Sequence, residues 1–82
     1  MKLFGKERTV NTDIEIGILD DFDKSPEDFE TMQKVIKAII RPKLTDAQCR
    51  KVTTHQFMDM MIEFSKAQRK VMIDYKKKLS LL

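Results

Sequence analysis

Histidine and cysteine, the side chains most used in zinc sites and as activated nucleophiles or bases, are scarce in this chain. It contains one histidine, His55, and one cysteine, Cys49. These are too few for a zinc site of His and Cys ligands, and no set of nucleophile, base and orienting group has a recognisable spacing. We interpret His55 as a residue in the first turn of a helix and Cys49 as a small buried hydrophobe. With two glycines in total, the chain also lacks a phosphate-cradling loop.

A short acidic stretch is the one pattern that approaches a metal site. Asp21, Asp23 and Ser25 alternate as ligands do in calcium-binding loops. The loop position that requires glycine is Pro26, however, and no glutamate stands at the twelfth place. The sequence therefore predicts no metal, no cofactor and no enzymatic activity.

Charge is distributed unevenly along the chain, whose net charge is +3. Eight acidic residues lie between Asp13 and Glu30, whereas six basic residues lie between Lys66 and Lys78. One interpretation is an acidic helix near a basic one, or two solvated faces. The other is a surface that binds a polyanion such as nucleic acid. Its candidate residues are Lys66, Arg69, Lys70, Lys76 and Lys77.

Composition predicts one small soluble domain covering residues 1–82. Hydrophobic residues make up 41% and charged residues 35%, which is typical of a globular protein. No apolar run approaches the roughly 18 residues of a membrane span, and the opening MKLFGKER lacks the apolar core of a signal peptide. Together with the single cysteine, these features predict a cytoplasmic protein, in the host cell if it is viral, that makes no membrane contact.

The strongest structural signal is a long amphipathic helix predicted over residues 54–80. Thr53 and Gln56 have the spacing of a capping box, which predicts the start of this helix. Such a helix would be roughly 39 Å long from Thr54 to Leu79, more than so short a chain can cover. We therefore expect a protein partner or a homo-oligomer. The apolar stripe comprises Phe57, Met60, Met61, Phe64, Ala67, Gln68, Val71, Met72, Tyr75 and Leu79.

Four shorter elements are predicted before it. Residues 1–12 favour a β-hairpin turning at Gly5 and Lys6, with Gly5 at the first central position. Residues 13–23 fit either a short helix, capped by Thr12 and Glu15, or a strand. Ser25 and Pro26 indicate the start of a helix over 26–41, and a second capping box opens a short helix over 45–51. The predicted fold class is mainly α: a small helical domain with a short N-terminal β-hairpin and a long C-terminal amphipathic helix.

Two segments resemble a known family. The opening LFGKERTVNTDIEIGILDDF and the middle MQKVIKAIIRPKLTDAQCRKVTTHQFMDMMIEF are similar to the small tail assembly chaperones of long-tailed bacteriophages. The resemblance covers Leu3 to Lys66, with a Gly-Lys-Glu turn, an acidic amphipathic segment, an apolar helix, a Thr-Asp cap and a final helix. The basic C-terminal helix lies outside this pattern.

This resemblance implies a non-enzymatic protein that holds an aggregation-prone helical client, such as a tape-measure protein, while tail-tube subunits assemble. It implies that the client or a second copy contacts the apolar row of the last helix. The row comprises Phe57, Met60, Met61 and Phe64, extended by Val71 and Met72.

Two other functions remain open at this point. The helices over 45–51 and from 54 onward could form a helix-turn-helix, in which the basic face contacts phosphates. Alternatively, the long helix could dimerise in an inhibitor or structural adaptor, with Gln68 as a polar residue that sets the register of the seam.

Overall fold

The last helix is by far the longest element of the fold. The structure is a computed structural model that describes residues 1–81. Helices dominate it, with a short N-terminal β-hairpin, and the predicted fold class is confirmed. In chain order the elements are β1 (Lys2–Leu3), β2 (Lys6–Glu7), β3 (Thr9–Val10), α1 (Ile16–Lys24), α2 (Phe29–Ile39), β4 (Ile40–Arg41), α3 (Asp46–Lys51) and α4 (Thr54–Ser80).

The N-terminal hairpin is shorter than the predicted span of residues 1–12. β1 pairs antiparallel with β2, and the two-residue turn is Phe4–Gly5. The prediction that Gly5 occupies the first central position is wrong, because Phe4 does. Both turn residues have positive φ, 52° for Phe4 and 75° for Gly5. Positive φ at both positions is the geometry of a type I′ turn, whose twist matches that of the two strands.

The second half of the predicted hairpin pairs elsewhere. β3 runs antiparallel to β4, with Thr9 opposite Arg41 and Val10 opposite Ile40. The N–H of Asn11 extends this ladder by donating to the carbonyl of Ile39 at 2.6 Å. The start of the chain is thereby joined to the end of α2.

Arg8 ties the hairpin to the segment that follows β4. Its side chain is buried, Nε donates to the carbonyl of Leu3 at 3.0 Å, and Nη1 donates to the carbonyl of Pro42 at 2.6 Å. The buried guanidinium group thereby makes two charge-assisted hydrogen bonds to backbone carbonyls. Sequence patterns gave no sign of this role, because Arg8 stands among other charged residues.

α1 is a helix, so the alternative of a strand over residues 13–23 is wrong. The predicted capping box of Thr12 and Glu15 is also wrong, because Glu15 is the N-cap and its side chain makes no capping bond. Asn11 accounts for the later start. Its side chain accepts from the N–H of Asp13 and donates to the carbonyls of Asp13 and Ala38, which holds this segment outside the helix.

α2 is shorter than the helix predicted over 26–41 at both ends. Its N-cap is Asp28 rather than Ser25, and the hydroxyl of Thr31 donates to the Asp28 carboxylate at 2.9 Å. At the other end, Ile40 and Arg41 are extended as β4, because they pair with β3 just before Pro42.

Two of the three capping boxes predicted from the sequence are present. The N–H of Gln48 donates to the hydroxyl of Thr45 at 3.2 Å, and the N–H of Gln56 donates to the hydroxyl of Thr53 at 3.1 Å. Each Gln side chain accepts in return from the backbone N–H of its Thr at 3.0 Å. These reciprocal bonds satisfy N–H groups that have no partner within the helix.

The core lies between α2 and the first half of α4. Cys49 belongs to it, as predicted. The rings of Phe22 in α1 and Phe57 in α4 lie 5.8 Å apart and close one side of this core. Its buried members are Leu3, Val35, Ile36, Ile39, Ile40, Leu44, Cys49, Met60 and Phe64.

The molecule is more extended than a chain of its size needs to be. Its radius of gyration is 13.9 Å and its longest axis is 46 Å, whereas about 11.7 Å is expected for the radius of a compact domain of this length. Its accessible surface is 6265 Å², compared with about 5,100 Å² for a typical monomer of this mass. The excess surface indicates an element that the rest of the chain does not cover.

Candidate functional site

The uncovered element is the second half of α4. Every residue from Arg69 to Leu81 is exposed, whereas α4 before Arg69 has buried or half-buried residues in each turn. We call residues 69–81 the α4 tail. Its helical part projects about 18 Å beyond the last half-buried residue, Gln68, at about 1.5 Å per residue. Tertiary packing normally supplies most of the stability of a protein helix, so an unpacked tail of this length is unusual.

Large apolar side chains project from the tail into solvent. Met72, Tyr75 and Leu79 are 56%, 61% and 52% exposed. They lie on the helix face that the body covers one to three turns earlier, since spacings of three and four residues return to the same face. The apolar face of α4 therefore continues past the body that buries its first half. The other large apolar side chains of the tail are Val71, Ile73 and Leu81.

The structure divides the partner-binding residues predicted from the sequence into three groups. Met60 and Phe64 are buried in the chain's own core, so they cannot also contact a partner. Phe57 and Met61 pack against that core and keep part of their surface free. Val71 and Met72 are exposed in the tail and belong to the candidate surface. The stripe pattern could not separate these groups, because it is continuous along the helix and does not show where the body ends.

A shallow apolar groove of ≈ 150 Å³ opens beside the start of α4. Phe29, at the first position of α2, is 36% exposed at its edge, and the guanidinium carbon of Arg50 lies 5.2 Å from the centre of its ring. Sequence analysis missed this groove because its walls come from three helices. They are formed by Phe29, Met32, Ile36, Cys49, Val52, Thr53, Thr54 and Phe57.

The candidate polyanion-binding side chains are exposed on α4. Among residues 1–81 the ion pairs are those of the N-terminus with Glu7, Lys24 with Asp20, and Lys37 with Asp46, so these basic side chains take part in none. The residues are Lys66, Arg69, Lys70, Lys76 and Lys77.

The acidic helix α1 lies far from the C-terminal part of this basic region. α1 packs on α2, and its Phe22 meets Phe57 near the start of α4. Lys76 is nineteen residues further along the helix, about 28 Å away. The fold therefore does not place the acidic helix α1 beside the basic tail of α4. The two charged regions lie toward opposite ends of α4.

Three groups in the body of the fold, Lys37, Asp46 and Cys49, have shifted pKa values. A hydrogen bond to Asp46 raises the pKa of Lys37, and the same bond lowers the pKa of Asp46. Burial raises the pKa of the Cys49 thiol, which disfavours the reactive thiolate. The Lys37–Asp46 pair joins α2 to α3 at the surface, so its role is structural.

Residues 1–81 contain no group of three or more His, Cys, Asp or Glu side chains placed to share a metal ion. None of the helices in this range combines the length and apolar composition that a membrane crossing requires. Comparison of the chain with protein-family models, with curated proteins and with solved structures finds no match in any of the three.

Proposed function

We propose that this chain is a non-enzymatic protein-binding protein that holds an apolar helical segment of a client along the α4 tail. The observation that carries the proposal is the exposed apolar face of the tail, formed by Val71, Met72, Tyr75 and Leu79. A helix of this kind is typically covered by another amphipathic helix, which places its own apolar residues against the stripe. Covering it would remove apolar surface from water at a gain of roughly 25 cal/mol per Å².

Within this class, the function proposed is that of a phage tail assembly chaperone. The similarity of Leu3 to Lys66 to that family supports it, and the client would be a long helical protein such as the tape-measure protein, or a tail-tube subunit. Such proteins expose apolar helix faces until assembly covers them. A small carrier with a projecting apolar helix suits this task, because methionines such as Met72 adapt to varied partners.

Co-expression with a client tests this proposal. We expect the long helical protein encoded in a neighbouring reading frame to stay soluble and to co-purify with this chain. Val71→Glu should release the client, because it places a charge in the apolar contact. Lys70→Glu is the matched control: it adds a carboxylate one residue earlier, on the basic face, and should leave the complex intact.

Two results would contradict the proposal. The first is a client equally soluble with and without this chain. The second is a genomic neighbourhood without any long helical reading frame, which would exclude the tail-assembly version.

Nucleic-acid binding is the second candidate function, favoured by the exposed basic side chains of α4 that make no ion pair among residues 1–81. It ranks second because a recognition helix reads bases through its first turns. In α4 those turns pack on the body through Phe57 and Met60.

A titration with duplex and single-stranded nucleic acid at two salt concentrations distinguishes the two functions. If protein binding is the main function, the chain should have no measurable affinity for nucleic acid at physiological salt. Tight binding that weakens steeply as salt increases would instead favour the basic face, since phosphate contacts release counterions.

A further inference from the structure

The spacing of residues along α4 makes the tail complementary to a second copy of the chain. We propose that α4 pairs antiparallel with α4 of a second copy, with the two-fold axis beside Gln68. The proposal goes beyond the client-holding function and does not depend on it, because it needs only this chain. Two copies related by a two-fold axis present the same patch to each other, so the patch must complement itself.

The residues along one side of α4 meet this requirement. Phe57 and Leu79 each lie eleven residues from Gln68, and Met61 and Tyr75 each lie seven residues from it. In an antiparallel pair centred at Gln68, Leu79 therefore meets Phe57 of the other copy, and Tyr75 meets its Met61. Met72, four residues from Gln68, lies level with Phe64 of the other copy, which is buried in its own core. We call these six residues the α4 seam: Phe57, Met61, Gln68, Met72, Tyr75 and Leu79.

The seam is free to be covered. Met72, Tyr75 and Leu79 are 56%, 61% and 52% exposed, and the seam residues packed at the edge of the body are only partly buried. Gln68, at the centre, carries both a donor and an acceptor, so two copies of its carboxamide can bond each other across the axis. A single polar pair at such a position fixes the register of a helix pair.

The length of α4 brings each tail to the groove of the other copy. From Phe57 to Leu79 the helix rises about 33 Å, so the tail cannot fold back onto its own groove. In the antiparallel pair Leu79 arrives next to Phe57, which lines the ≈ 150 Å³ groove together with Phe29. Each copy then covers the groove that the other leaves open.

Charge favours the same arrangement. Lys76, Lys77 and Lys78 precede Leu79 and would reach the end of the partner where α1 and the start of α2 lie. That end carries six acidic residues between Asp20 and Glu30. The basic residues at the same end are Lys24, which is already paired with Asp20, and Arg50 and Lys51 of α3. A basic tail and an acidic end within one chain attract each other only between copies, because they lie toward opposite ends of α4.

The surface left uncovered is large enough for a stable dimer. The chain exposes 6265 Å², roughly 1,100 Å² more than a compact monomer of its mass. A standard protein interface covers about 800 Å² on each partner.

Sedimentation of the purified chain over a wide range of concentrations tests the pairing. The chain should be dimeric, and Met72→Glu should raise the dissociation constant by about a hundredfold or more, since each substitution enters a two-fold interface twice. Ile73→Glu is the matched control. Ile73 is as exposed as Met72, 55% against 56%, but lies about 100° around the helix, so its effect should stay within about threefold. A strictly monomeric chain, or equal effects of the two substitutions, would overturn the proposal.

Cysteine trapping tests the direction of the pair. In a Cys49→Ala background, Met61→Cys and Tyr75→Cys chains are mixed and oxidised. Antiparallel pairing predicts a disulfide between the two different chains, because only close Cα atoms can be bridged. Disulfides formed only between chains of the same kind would overturn the antiparallel pairing. So would disulfide formation no faster than in an Ile73→Cys control. Client binding plays no part in either experiment, so a failure here leaves the client-holding proposal standing.

Discussion

Replacing Met60 with alanine should destabilise the chain by about 2–5 kcal/mol. Met60 is 0% exposed in the core between α2 and α4. Its removal leaves a cavity that the neighbouring side chains fill only in part, which adds to the lost burial of the side chain. A domain of this length has a total free energy of unfolding of only about 4–12 kcal/mol. We therefore expect Met60→Ala to lose a large part of the total stability, seen as a clearly lower midpoint in a urea titration followed by circular dichroism.

Met58→Ala is the control for this result. It removes the same side chain from the same helix, two residues earlier, where it is 55% exposed. Its effect should remain within about 0.5 kcal/mol, as is usual for surface substitutions. Similar losses at both positions would show that the first half of α4 is not packed on the body in this orientation.

Arg8→Ala should destabilise the chain by about 2–4 kcal/mol, because it removes two hydrogen bonds from a buried charged donor to backbone carbonyls. Those carbonyls belong to Leu3 in β1 and to Pro42 after β4. The loss should be local at first, since the hairpin joins the rest of the fold partly through this side chain. Urea titration gives the size of the effect, and hydrogen exchange at residues 2–10 shows where it acts.

Lys6→Ala is the matched control for Arg8. Lys6 is a basic residue two positions earlier in the same hairpin, and its side chain is exposed. It should leave both the unfolding midpoint and the exchange of the hairpin nearly unchanged. If Arg8→Ala behaves like Lys6→Ala, the hairpin is held by other contacts and the proposed role of the guanidinium group is wrong.

Helix starts with local signals could be predicted from the sequence. The capping boxes at Thr45 and Thr53 are complete within four residues, and both are present. The start of α1 and the end of α2 could not be predicted in the same way. Asn11 reaches the carbonyl of Ala38, and β3 pairs with β4, so distant parts of the chain decide these boundaries. Local propensity gives way to tertiary contacts at such positions.

The candidate surface was predicted only in part for a related reason. The apolar stripe correctly identified a long helix with one apolar side, and its length indicated that the chain could not cover all of it. Which residues are covered depends on where the body ends, and that limit comes from the packing of α2 and β3 on α4. Met60 is therefore core while Met72 is surface, although both stand in the same stripe.

The client and the second copy compete for the same tail under these two proposals. Val71, Met72, Tyr75 and Leu79 would be covered by a second chain in the free protein and by a client helix in the complex. A protein that covers its own apolar surface until a client arrives remains soluble in the meantime. The balance between the two forms depends on the concentrations of chain and client.

The central claim is that another protein chain covers the apolar face of the α4 tail. Amide hydrogen exchange along α4 tests this claim most directly. We predict that residues 69–80 exchange quickly in dilute solution, because a helix without tertiary contacts opens readily. They should become protected at high concentration or on addition of client, while α2 stays equally protected throughout. Tail amides that exchange at one unchanged rate under all three conditions would contradict the account.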